Sequence, residues 1–255
     1  MPYLIYDNSF EGFLTCIFEC YDQKITPIDI CRERDFQEVL FEEKMTIVRD
    51  ERKAERVWKA LRKKLHNRNK DLPFFAFLSE EDGIEMKLFR FAGRIFSTDH
   101  RVETDYGDRD ILDLKKIERQ VMREAMRMLQ FVRFQKTKDD LYFAPIEPRY
   151  NVLPFTIKHF KDRFADQQWL IYDIKRDYGI FYNLKTTEEV VLTEKGFNGA
   201  NGKLKADILE ESEMSYQHLW KDYFDNINIK ERKNLKLQRQ HMPQRFWKFL
   251  PEKNI

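Results

Sequence analysis

The feature that most constrains this chain is a change of hydrophobic period near residue 135. From Asp113 to Gln135, the residues Leu114, Ile117, Val121, Ala125, Met128 and Val132 recur at helical spacing and mark one apolar face. Asp113 is placed to cap this helix. The period then switches. LYFAPI (141–146), WLIYDIK (169–175) and YGIFYN (178–183) are β-branched and aromatic runs of strand type. Arg176–Asp177 joins the last two as a tight hairpin-like connection, and a short helix at 154–164, opened by Pro154, precedes them. Helices followed by an antiparallel β part define an α+β chain, helix-rich with a small antiparallel sheet in its second half, not alternating βαβ units. The 113–135 helix is expected to pack against the strands at 141–146 and 169–183 within one compact unit.

The remaining elements follow from the same periodicity. LIYD near the start reads as a short strand, and Ser9 caps a helix with Phe10, Phe13, Leu14, Ile17, Phe18 and Tyr21 on one broad face. EKMTIVR (43–49) reads as a strand. Residues 50–66 form an amphipathic helix with Ala54, Val57, Trp58, Leu61 and Leu65 in one stripe. Residues 74–96 are helical, with Gly83 as a break. The run 194–206, with Gly196, Gly199 and Gly202, reads as a surface loop. Residues 212–225 form a helix with Tyr216, Leu219, Trp220 and Tyr223 expected to face inward. A basic helix then leads to Pro243 and a last aromatic turn, RFWKFLPE.

A length of 255 residues suits one large domain or two small ones, and 22 Phe, 11 Tyr and 4 Trp supply a packed core. The reading is a single domain over 1–255, with possible sub-units 1–135, mainly helical, and 136–255, mixed. No apolar run approaches the roughly 20 residues of a membrane span. The N-terminus has acids where a secretory signal has a basic region, so a cytoplasmic protein without membrane contact is expected. Cys16, Cys20 and Cys31 are read as reduced core thiols. Cys16 and Cys20 lie one helical turn apart and are expected to be unmetallated.

The net charge of +2 conceals segregation. Residues 1–50 hold 5 Lys/Arg against 11 Asp/Glu, and residues 186–225 hold 4 against 9. Residues 113–176 hold 14 against 9, and residues 230–255 hold 8 against 2. Basic blocks attract polyanions, and acidic blocks keep the rest of the molecule away from them.

Signatures of common chemistry are absent: no GxxxxGK[ST], GxGxxG, HExxH or GxSxG. None of the five histidines (His66, His100, His159, His218, His241) lies three to five residues from another, so no metal site and no cofactor is expected. Asp105, Asp108 and Asp110 resemble the start of a calcium loop without its distal Glu. Arg119, Arg123 and Arg127 repeat every four residues, a repulsive stripe that an anion would relieve and Glu124 partly relieves. In 131–176, Arg133, Lys136, Lys138, His159, Lys161, Arg163 and Arg176 interleave with Phe, Tyr and Trp. Cations hold phosphates and aromatic faces stack bases, a combination suited to single-stranded or flipped nucleotides. The C-terminal run adds Lys230, Arg232, Lys233, Lys236, Arg239, Arg245 and Lys248.

The stretches FVRFQKTKDDLYFAPIEPRYNVLP, HFKDRFADQQWLIYDIKRDYGIFYN and ERKNLKLQRQHMPQRFWKFLPE, with the opening YDNSFEGFLTCIFECY, resemble a bacterial family of DNA metabolism or repair proteins whose domain has no assigned function. The resemblance spans nearly the whole chain. It implies a gene neighbour of radical-SAM type with helix-hairpin-helix features, and fusion in some members to a uracil-DNA-glycosylase-like domain. Its charged positions here are Arg133, Arg163, Asp173, Arg176, Arg239 and Arg245, with no catalytic role implied.

Three functions are therefore set against one another. The first is a DNA-binding accessory factor of a radical-SAM or glycosylase-type repair system, contacting DNA through Arg133, Lys136, Lys138, His159, Arg163, Arg176, Arg239 and Arg245. The second is an enzyme on a damaged base, with His159 and Asp173 or Glu147 as acid and base. The third is a structural partner of the radical-SAM protein that does not touch DNA.

Overall fold

The computed structural model describes residues 1–38, 42–98, 101–227 and 234–254. His100, Lys230, Arg232 and Lys233 lie outside the described residues. The chain divides into two compact units, Met1–Met122 and Arg123–Ile255.

In the first unit, β1 (Tyr3–Tyr6), α1 (Phe10–Asp22) and β2 (Asp29–Arg32) form a βαβ crossover, and β3 (Lys44–Thr46) joins the other edge of β1. Both pairings are parallel, in the order β2-β1-β3. Ser9 caps α1 as its sequence position requires, its hydroxyl accepting the Gly12 N–H at 2.9 Å. Asp50 does the same for α2 (Glu51–Lys64), accepting from Arg52 and Lys53. Ala54, Val57 and Leu61 of α2 are buried, each Val or Leu contributing roughly 1.5–3 kcal/mol. The helical pattern over 74–96 is divided into α3 (Leu72–Phe77) and α4 (Ile84–Ser97). Gly83 separates them with φ 72°, a left-handed conformation that costs glycine no Cβ clash.

The interior of this unit holds a buried polar knot. Arg32 Nε lies 2.8 Å from Glu85 Oε1, and the Tyr6 hydroxyl donates to the same oxygen at 2.8 Å. Arg32 also donates to the Phe77 carbonyl at 3.3 Å. Burial, reinforced by Glu85, pushes the Tyr6 phenol far above its ordinary range. The knot joins β1, β2 and α4.

The long helix α5 (Arg109–Phe131) begins four residues earlier than its apolar pattern suggests. Asp108 accepts the Ile111 N–H at 3.1 Å and is the capping residue. Asp113, expected to be the cap, lies inside the helix and pairs with Lys87 at 3.0 Å.

The second unit carries a sheet in the order β4-β5-β6-β7-β8. Its strands are β4 (Gln135–Lys136), β5 (Tyr142–Ile146), β6 (Trp169–Asp173), β7 (Tyr178–Tyr182) and β8 (Thr187–Val190). The β6–β7 hairpin turns through Asp177 at φ 59°. Across it, Gly179 faces Tyr172, and a Cβ there would stand 2.8 Å from the Ile171 carbonyl oxygen. The sheet is mostly antiparallel, but β5 and β6 pair in parallel around the helix α6 (Leu153–Arg163), so βαβ units do occur. Phe143, Leu170, Tyr172 and Phe197 form a core on this sheet, which anchors the glycine-rich 194–206 segment through Phe197. Among the described residues the helices α7 (Glu213–Ile227), α8 (Leu235–His241) and α9 (Pro251–Asn254) follow.

One expectation fails here. Tyr216, Leu219, Trp220 and Tyr223 do not face inward. Their exposures are 63%, 63%, 41% and 58%. An aromatic stripe at helical spacing is the same pattern whether a helix meets its own core or solvent.

Candidate nucleic-acid interface

Arg176 is a buried brace. Its Nη1 lies 2.8 Å from Asp173 Oδ2, and its guanidinium donates to the carbonyls of Pro148 and Arg149, each at 3.2 Å. Asp173, 0% exposed, also accepts the backbone N–H groups of Lys175 and Arg176. Burial raises the Asp173 carboxyl above the ordinary aspartate range, against the pull of Arg176. The pair fixes the β6–β7 hairpin to the Glu147–Arg149 loop.

Arg245 pairs with Glu124 and lies over the Phe246 ring at 4.5 Å. Glu124 is buried and also accepts the Arg149 N–H at 2.8 Å. Arg133 pairs with buried Glu252 at 2.9 Å. Three of the eight expected DNA contacts, Arg133, Arg176 and Arg245, thus neutralise buried carboxylates. Lys136 pairs with Asp140 at 2.7 Å. Lys138, His159, Arg163 and Arg239 are exposed. His159 stands edge-on to Phe160, and Arg163 lies over Phe164 at 5.7 Å.

Several other charged candidates have protein partners as well. Arg94 binds Asp105 and Asp108, and Arg90 binds Asp110 at 2.7 Å, so the acidic loop is an arginine-binding segment. In the Arg119, Arg123, Arg127 stripe, Arg119 donates to the Lys115 carbonyl, and Arg127 to that of Gln240 at 3.4 Å. Glu147 pairs with Lys248. Asp173, the other carboxylate set beside His159 by the sequence, is fully enclosed. Among the described residues, no group of three or more His, Cys, Asp or Glu could hold a metal ion. Cys16 and Cys20 are buried free thiols. Burial lifts the Cys20 thiol to about 12 and the Cys16 thiol further.

The outward face of α7 forms the clearest site. Trp220 and Tyr223 stack with ring centroids 5.7 Å apart and planes 30° apart. With Phe134, Tyr216, Leu219 and Arg133 they line an open groove of about 710 Å³. The indole is fixed from below: Trp220 Nε1 donates to Glu252 Oε2 at 3.0 Å, and Glu252 Oε1 holds Arg133. The Arg133 guanidinium lies 5.7 Å from the Trp220 ring centroid. A polar notch shares Arg133 and Gln217 with the groove and adds Asn201, Lys203 and Lys248. Exposed flat rings held in place, beside cations, can stack an unpaired base.

The fold and groove define an α+β protein with an exposed aromatic face on α7. The model of DUF4130, a domain of unknown function, matches residues 82–252, and the chain belongs to that family. Arg133, Trp220 and Glu252 all fall within the match. No curated protein and no solved structure matches the chain. No helix among the described residues is long and apolar enough to cross a membrane.

Proposed function

We propose that the protein is a DNA-binding accessory factor that holds unpaired nucleotides on the aromatic face of α7. The observation that carries this reading is the exposed, stacked Trp220–Tyr223 pair whose indole is fixed by Glu252. Stacking rings that are already oriented lose little freedom on binding, and base–aromatic stacking contributes about 1–3 kcal/mol per base. The resemblance to DNA metabolism proteins supports DNA as the polymer. It also supports a cytoplasmic repair system with a radical-SAM or glycosylase-like protein as the companion that performs the chemistry. A protein partner on the same face is the second reading, favoured by the exposed Leu219 and Met214.

The paired state of Arg133, Arg176 and Arg245 distinguishes this reading from a simple basic surface. Seven Lys/Arg contacts to a single strand would give a log–log salt slope of about −5, at about 0.7 per phosphate. Lys138, Arg163 and Arg239, which have no ion pair among the described residues, supply about −2. Titration of a thymidine oligonucleotide and its duplex over a salt series tests the reading. Tighter single-strand binding with a shallow slope is expected. Absence of binding to either would favour the protein-docking face.

A further inference from the structure

The first unit contains a second groove, of about 360 Å³, in the part of the chain before the family match. Its floor is aromatic and aliphatic: Phe10 meets Trp58 at 5.2 Å and 89°, and Phe74 at 5.2 Å and 69°. Three rings set edge to face around a recess present both ring faces and ring edges to an occupant. The rim is strongly acidic, with Glu11, Glu51, Glu55 and Asp71 against one guanidinium, Arg62. That guanidinium already lies over Trp58, 5.4 Å from its centroid, and Asp71 holds it at 3.3 Å. The chain thus places one cation of its own on this aromatic wall. Glu55 pairs with Lys59 at 2.7 Å. Glu11 and Glu51, in the first turns of α1 and α2, carry no ion pair among the described residues.

We propose that this groove docks a lysine or arginine side chain presented by a basic segment of a partner protein. The aliphatic stem of such a side chain suits the apolar floor, and its head meets aromatic faces and carboxylates together. An anionic or neutral apolar segment lacks this complementarity, and a nucleic acid would be repelled by the rim. The groove shares no residue with the α7 face, and the proposal stands whether or not that face binds DNA.

The test uses the full chain and a tetra-arginine peptide as probe, followed by calorimetry. Three variants are compared: Trp58→Ala, the groove pair Glu11→Gln/Glu51→Gln, and a control pair, Glu33→Gln/Glu38→Gln. The two pairs change net charge equally, and all four glutamates are exposed. Thermal melts identify any variant that fails to fold, and Trp58→Phe then replaces Trp58→Ala. Expected is a loss of about tenfold for the groove pair and for the Trp58 variant, with the control pair near the wild type. Equal losses in the two pairs would mean general attraction to an acidic surface and would overturn the proposal. So would an unaltered affinity in both the groove pair and the Trp58 variant, or no binding by the wild type.

Discussion

Arg133 and Glu252 are 119 residues apart in sequence and 2.9 Å apart in space. The pair closes the second unit, because Glu252 belongs to the last helix and Arg133 to the exit from the longest one. Its carboxylate also fixes Trp220, so one buried acid supports both the fold and the aromatic face. Glu252→Gln keeps the size and removes the charge. The expected cost is about 1–3 kcal/mol from a hydrogen-bonded charge left without its partner. A urea melt measures it, and an unchanged midpoint would show that the pair contributes nothing.

Arg176 is expected to behave as a structural residue. Arg176→Ala leaves the Asp173 carboxylate buried without its guanidinium, and breaking a buried pair costs about 3–5 kcal/mol. Arg163→Ala, on an exposed side chain, should stay within about 0.5 kcal/mol of the wild type. Thermal melts of the two variants side by side give the comparison. Similar melting of both would contradict the assignment of Arg176 as a brace.

Acid sensitivity should be traceable to Glu19 in the first unit. Lys53, hydrogen-bonded to its carboxylate at 2.5 Å, holds Glu19 below the ordinary glutamate range, with Gln23 assisting. A depressed folded-state pKa contributes stability above the unfolded value, about 4.3, and that stability is lost as pH falls through the folded value. Glu19→Gln is therefore expected to be less stable than the wild type at neutral pH, by about 0.5–1 kcal/mol because Lys53 is part-exposed. The difference should shrink as pH falls from the unfolded value of about 4.3 through the lower folded value. Denaturant midpoints at neutral pH and across this fall test this, and a constant difference would contradict it.

Legibility in the sequence followed the range of the interaction. Local patterns were readable: the Ser9 cap, the α2 stripe, the Gly83 break and the Arg176–Asp177 hairpin each depend on neighbours a few residues away. Strand β2, with the sequence DICR, and β8, with TEEV, carry too few apolar residues to stand out, and they exist through pairing with distant strands. Parallel pairing of β5 with β6 was hidden for the same reason. Arg133, Arg176 and Arg245 read as free charge because the carboxylates that neutralise them are located only by the fold. The α7 stripe shows the limit most clearly. Spacing marked Tyr216, Leu219, Trp220 and Tyr223 as one face, and nothing in the spacing says whether chain or solvent covers it.

The most direct measurement is the affinity of Trp220→Ala for a single-stranded thymidine oligonucleotide, by fluorescence anisotropy at two salt concentrations. Trp220 is 41% exposed, but its indole N–H is accepted by buried Glu252, so truncation is expected to cost about 1–3 kcal/mol, and a thermal melt establishes that the variant is folded at the assay temperature. Loss of one stacking platform predicts a weakening of about 5- to 150-fold, equal at both salts. Unchanged affinity in a folded Trp220→Ala variant would contradict nucleotide stacking on α7.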